Sequence, residues 1–204
     1  MSTCTCPVGT AISTITPSTC PYDIKQIQKL IWTRKGNQIA SLATAKLEAT
    51  WTGLLAATDG TKAQVTPYVY DSILTAGDAV EDGGGDNTTL NGVPIIEDVA
   101  PSQFTGFFRN QNQQSVIKVL REYKCEDLAT YFVNRDGYIV GKYASGGVKI
   151  EGFPISALHI SDAHSEGYGQ PTKNMLSFYM SDGEGWSDDL VIIETAFNAL
   201  ELSN

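Results

Sequence analysis

The chain has 204 residues, of which 42% are hydrophobic and only 18% charged. That length suits one domain, or one domain with long arms, and the apolar share suffices for a sizeable core. The formal net charge of −9 argues against a surface that grips nucleic acid, because phosphates are neutralised by clustered Lys and Arg.

The charge is unevenly spread. Residues 151–204 hold nine acids against one base, Lys173. Between Lys62 and Arg109 there are seven acids and no Lys or Arg. Such a surface repels DNA and would let it slide past rather than bind. A weakly charged polar surface is also common where surface is destined for burial between subunits. The N-terminus, Met1-Ser2-Thr3-Cys4, lacks the basic start and apolar run of a secretory signal. No stretch approaches the roughly 18 apolar residues that span a bilayer. The expectation is a product made in a cytosol, with no membrane partner.

Residues 1–21 read as an N-terminal arm rich in Thr, Ser and Pro. Such a segment buries too little apolar surface to fold alone. It is either a frayed end or an arm that orders against a neighbouring subunit. Residues 22–204 read as a single β-sandwich domain. Cys4, Cys6 and Cys20 offer three thiols but miss the usual C-x₂₋₄-C spacing of a zinc site. With Cys125, they are expected as reduced thiols.

Ile24 to Thr33 reads as a strand, followed by a turn at Lys35-Gly36-Asn37. Leu47, Trp51, Leu54 and Leu55 share one helical face, which predicts a helix over about 45–57. Residues 63–71 read as a strand, and Pro67 places it at an edge or a bulge. Residues 75–92 read as a long acidic, Gly-rich loop: Asp78, Glu81, Asp82, Gly83, Gly84, Gly85, Asp86 and Asn87 fall in it. A loop of that length is functional or disordered. It lacks the Lys and the residue order of a phosphate loop, so nucleotide binding is not expected.

Gln103 to Arg109 alternates, with Phe104, Gly106 and Phe108 on one side. A second helix is predicted after Asn110, capped by Asn110 and Gln113. Its apolar face is Val116, Val119, Leu120 and Tyr123, with Lys118, Arg121 and Lys124 outside that face. Residues 129–133 and 138–140 flank Asn134-Arg135-Asp136-Gly137 and read as a hairpin. Strands follow over 148–160, 172–180 and 190–197. Leu176, Phe178 and Met180 share one face of the second of these. The fold class is α+β: a mostly antiparallel β-sandwich or partial barrel with two short flanking helices.

No catalytic constellation stands out, and an enzyme is not expected. The G-x-S-x-G elbow is absent. His159, Asp162, His164 and Glu166 are close in sequence, but His159 and Asp162 point to opposite faces if the chain stays extended. Asp182, Glu184, Asp188 and Asp189 form an acidic turn without the calcium-loop order. A solvated turn, or a wall facing DNA, is the simpler reading. Lys124 beside Cys125 favours the thiolate, but no histidine is near in sequence. No cofactor and no metal are expected.

The order of features nonetheless resembles something. Trp51 and Leu54-Leu55 lie on a helix, followed by the Pro67-Tyr68 strand and the acidic Gly83-Gly84-Gly85-Asp86-Asn87 loop. Then come Phe104, Gln114-Ser115-Val116-Ile117, Leu120, Cys125-Glu126 and the Asp136-Gly137 hairpin. Over about residues 25–196 this layout resembles virion structural proteins of tailed bacteriophages, most of all the tail-tube class. The resemblance implies a virion subunit, made in the bacterial host cytoplasm, that forms stacked hexameric rings. Its partners would be identical subunits and other virion proteins, with double-stranded DNA passing without specific binding. The loop at 75–92 would then join one ring to the next, and the acidic quarter would supply lumen charge. Lys118, Arg121 and Lys124 would meet the acidic loop of another subunit. A head decoration or head-to-tail connector protein is the neighbouring alternative. A carbohydrate-binding β-sandwich, using Trp186, Tyr168 and Tyr179, is the alternative of another class.

Overall fold

The computed structural model describes residues 23–85, 87–109, 114–181 and 185–204. The chain order is β1 (Ile27–Arg34), β2 (Gln38–Ile39), α1 (Leu42–Ala45), α2 (Glu48–Ala56), β3 (Gln64–Val65), β4 (Tyr70–Thr75), β5 (Ala79–Asp82), β6 (Ile95–Val99) and β7 (Gln103–Arg109). Then follow α3 (Gln114–Glu122), β8 (Leu128–Asn134), β9 (Ile139–Tyr143), β10 (Ile150–Glu151), β11 (Phe153–Ile160), β12 (Lys173–Met180) and β13 (Leu190–Ile193). Every pairing between these strands is antiparallel. The α+β class expected from the sequence is what the chain adopts.

The main sheet runs β2-β10-β9-β8-β11-β12-β7-β4, with β1 also on β8, β3 on β1 and β13 on β9. β11 joins its two halves. Phe153 and Pro154 pair with β8, whereas Ile155 to Ile160 pair with β12. Between these parts the register slips at Ser156/His159, and Ala157 sits at φ 51. A bulge of this kind bends a strand and re-aims it. The sheet thereby folds over, and Phe104 of β7 stacks on Phe132 of β8 with ring centroids 5.8 Å apart.

Two apolar clusters result. The first lies between the halves and holds Leu30, Trp32, Phe104, Phe132, Phe153 and Phe178. The second lies on the other face of β1 and β8 and holds Ile31, Trp51, Tyr131, Val133 and Ile193. β8 is buried at all its positions because both its faces are covered. α3 contributes Ile117 and Leu120 to the first cluster.

The predicted helix over 45–57 is α2, with the one-turn helix α1 preceding it. Ser41 accepts from the Thr44 N–H at 3.2 Å and starts α1, which α2 follows. Leu47 is the N-cap residue of α2 and 55% exposed, so it does not join the buried stripe. Trp51 does: it is fully buried, donates through Nε1 to the Ala45 carbonyl at 2.8 Å and meets Tyr131 edge-on. Among the described residues, the short helices α1, α2 and α3 accompany the sheet.

The apolar face of α3 is also rotated from expectation. Ile117 and Leu120 are buried, while Val119 is 49% exposed. The predicted strand at 63–71 breaks where Pro67 removes a donor, leaving β3 and β4 on either side. β7 and β12 fall where alternation placed them. Phe104, Gly106 and Phe108 face inward on β7, and Leu176, Phe178 and Met180 do so on β12.

Candidate functional site

Within the stretch 75–92 read as a loop, Ala79–Asp82 form the strand β5, while residues 83–85 and 87–89 are irregular. β5 and β6 pair antiparallel from Ala79↔Val99 to Asp82↔Ile95. Glu81 and Asp82 therefore belong to a two-stranded arm, and Asp78 to the coil at its base. Sequence periodicity missed it because both faces of the arm carry apolar and acidic residues without alternation. The end of the arm is closed by Gly83, Gly84 and Gly85, all at positive φ, a conformation open to glycine. The Gly85 N–H donates to the Gly92 carbonyl at 3.0 Å. Asn87 is exposed near this turn, and Asp86 lies outside the described residues.

The arm is apolar as well as acidic. Val80, Leu90, Val93, Ile95 and Ile96 are all more than two-fifths exposed, Leu90 most of all at 86%. Glu97 and Asp98 add two exposed carboxylates to those of Asp78, Glu81 and Asp82. A lone two-stranded hairpin in water is marginal at best. Contiguous exposed apolar surface rimmed by polar groups marks a site of interaction.

A groove of about 580 Å³ lies between α3, the β1–β3 edge and the C-terminal residues. Trp32, Tyr68, Tyr70 and Val119 form much of its apolar wall. Among the described residues its charged side chains are Lys29 and Arg109, and no Asp or Glu side chain lines it. Lys29 donates to the carbonyls of Leu200 and Leu202 at 2.7 and 3.2 Å and lies over the Tyr68 ring. Burial holds its ammonium below the ordinary lysine value. Arg109 pairs with Asp71 and lies over the Tyr70 ring. Two N–H groups of the lining residues, Trp32 Nε1 and Arg109 Nε, are buried without an acceptor among the described residues.

The other expected site residues are dispersed. Lys118 and Lys124 are exposed on and just after α3. Arg121 is committed to its own chain: its guanidinium donates to the carbonyls of Ile160 and Ser161 and to Asp162 at 2.7 Å. That clamp ties α3 to the end of β11 and leaves Arg121 ill placed to serve a second subunit. Asp188 and Asp189 are exposed before β13, and Asp182 and Glu184 lie outside the described residues. Asp162 serves the Arg121 clamp, while His164 lies 3.8 Å from Glu166, so the sequence neighbours at 159–166 do not converge. Among the described residues, no group of three or more His, Cys, Asp or Glu side chains could hold a metal ion. Cys125 is exposed, and Cys4, Cys6 and Cys20 lie outside the described residues.

Trp186 is not an open platform. Its ring meets Phe153 edge-on and its Nε1 donates to Ser102 Oγ at 3.0 Å. Tyr168 is fully exposed on a loop, and Tyr179 is exposed on β12. Among the described residues, no helix is long and apolar enough to cross a membrane.

No family model and no curated protein matches the sequence. Among solved structures, the chain is similar to one in the cryo-EM structure of the anti-feeding prophage (AFP) baseplate, 6-fold symmetrised. The match covers 87% of this chain and 99% of that one, at 8% identity and a TM-score of 0.34. A likeness that distant leaves the function to be read from this chain's own geometry.

Proposed function

We propose that this chain is a structural subunit that assembles with copies of itself, as tail-tube subunits of phage-like particles do. The observation that carries the reading is the β5–β6 arm. Its apolar side chains stand in water in the single chain, and its acids lack any base between Lys62 and Arg109. Burying a Leu, Ile or Val side chain is worth roughly 1.5–3 kcal/mol relative to leaving it exposed. An arm with five of them gains most when a partner covers it.

Two further features favour assembly. β4 pairs with β7 along one edge, and β13 with β9 along one edge. A strand with a bare edge is a template for pairing with another chain. In a ring, the β11-β12-β7-β4 half of the sheet is the natural wall, since Gln103, Thr105 and Ser177 keep the middle of its outer face uncharged. Asp188 and Asp189, with Asp182 and Glu184 near them in sequence, would supply acidic surface that keeps DNA from sticking.

The carbohydrate-binding reading loses ground because Trp186 packs against Phe153 instead of presenting its ring. Purified protein examined by negative-stain microscopy is expected to show rings or tubes. Monomers alone at high concentration would count against the proposal.

A further inference from the structure

We propose that the groove between α3 and the β1–β3 edge is the seat for the β5–β6 arm of a second copy of this chain. This rests on the assembly reading and names the surface that reading lacks. The match is first one of polarity. The arm presents exposed Val80, Ile95 and Ile96, and the groove presents exposed Tyr68, Tyr70 and Val119. Apolar surface on both sides leaves water when they meet.

The match is second one of charge. The arm and its base carry Asp78, Glu81, Asp82, Glu97 and Asp98 and no base. The groove's Arg109 is already paired with Asp71, which leaves Lys29 in the groove and Lys118, exposed beside Val119 on α3, to meet those carboxylates. Opposite charge steers encounter and rejects wrong partners.

The occupant comes from another molecule, because the arm of the same chain stands exposed in its own fold. Arm and groove are different patches, so the contact is heterologous. Contacts of that type propagate, closing into rings or running on as filaments. The groove thus accounts for growth as well as for pairing.

The test uses two full-length variants that are each defective on one side. Val119→Glu, at an exposed position, spoils the groove, and Ile95→Lys with Ile96→Lys spoils the arm. Thermal melts check that both stay folded. Each variant alone is expected to lose self-association by roughly tenfold or more. An equimolar mixture is expected to form a 1:1 complex and nothing larger, since one intact arm meets one intact groove. Tyr68→Glu, on the opposite groove wall, is expected to behave like Val119→Glu. Wild-type assembly by both groove variants would overturn the groove and leave the assembly reading standing. Monomeric wild-type protein would overturn both. Assembly that survives the arm variant but is lost on deleting residues 1–22 would assign the groove to that segment and overturn the proposal.

Discussion

Val65 is paired with the side chain of Asn204 as one strand residue pairs with another. The Val65 N–H donates to Oδ1 of Asn204 at 2.7 Å, and Nδ2 of Asn204 donates to the Val65 carbonyl at 2.8 Å. A primary amide has the donor and acceptor of a peptide group, so it closes the edge of β3 at the lip of the groove. Asn204→Ala is expected to lower stability by about 1–2 kcal/mol, because both backbone groups lose their partner. Asn204→Asp keeps the acceptor and loses the donor, so its loss should be smaller. Urea denaturation of the three proteins checks the order.

Ala157 carries the bend that folds the sheet. Its φ of 51 lies in the left-handed region, where a Cβ crowds the following carbonyl. Ala157→Gly relieves that crowding and is expected to raise stability by about 0.5–1 kcal/mol. Ala157→Val should lower it, since branching at Cβ makes the conformation worse. Midpoints of thermal or urea unfolding give the answer.

These two positions also show where the sequence was legible and where it was not. Strands with clean alternation, such as Gln103–Arg109 and Lys173–Met180, were visible because period two reports a half-buried sheet directly. The turn at Asn134-Arg135-Asp136-Gly137 was visible from its chemistry. Asn134 Oδ1 accepts from the N–H groups of Asp136 and Tyr138, as side chains of this type do in turns. The bulge at Ala157 left no trace, because alanine is the wrong residue for positive φ. The strand β5 lies within the stretch 75–92 that reads as a loop, because neither of its faces is buried in the single chain and no periodicity is selected there. Its acids and apolar residues were noticed, but their partner surface needed the fold. Lys29, Tyr68 and Val119 come from three separate elements and share a groove only after β1, the β3–β4 break and α3 pack together. Arg121 was grouped with Lys118 and Lys124 by helical position, and only the structure shows it clamped to β11.

Tyr131 gives a pH prediction. It is buried between Trp51 and the second cluster, and burial, with Glu151 next, pushes its phenol above the ordinary value of 10.0. Above that pH an unfolded tyrosine loses its proton while the native one keeps it. The unfolded state then binds fewer protons, so stability falls as pH rises, by about 1.4 kcal/mol per pH unit from this group. Below pH 10 the contribution is fully present. Tyr131→Phe is expected to flatten the alkaline fall in urea midpoint between pH 10 and 11, while wild type shows it.

The claim on which the account turns is that the β5–β6 arm makes this chain assemble. Sedimentation velocity over a wide concentration range tests it directly, comparing wild type with Val80→Ser, Ile95→Ser and Ile96→Ser combined. The account predicts that wild type shifts to large species as concentration rises, whereas the variant stays monomeric with an unchanged melting temperature, since all three side chains are exposed in the single chain. Wild type that remains monomeric throughout, or a variant that assembles as wild type does, would contradict it.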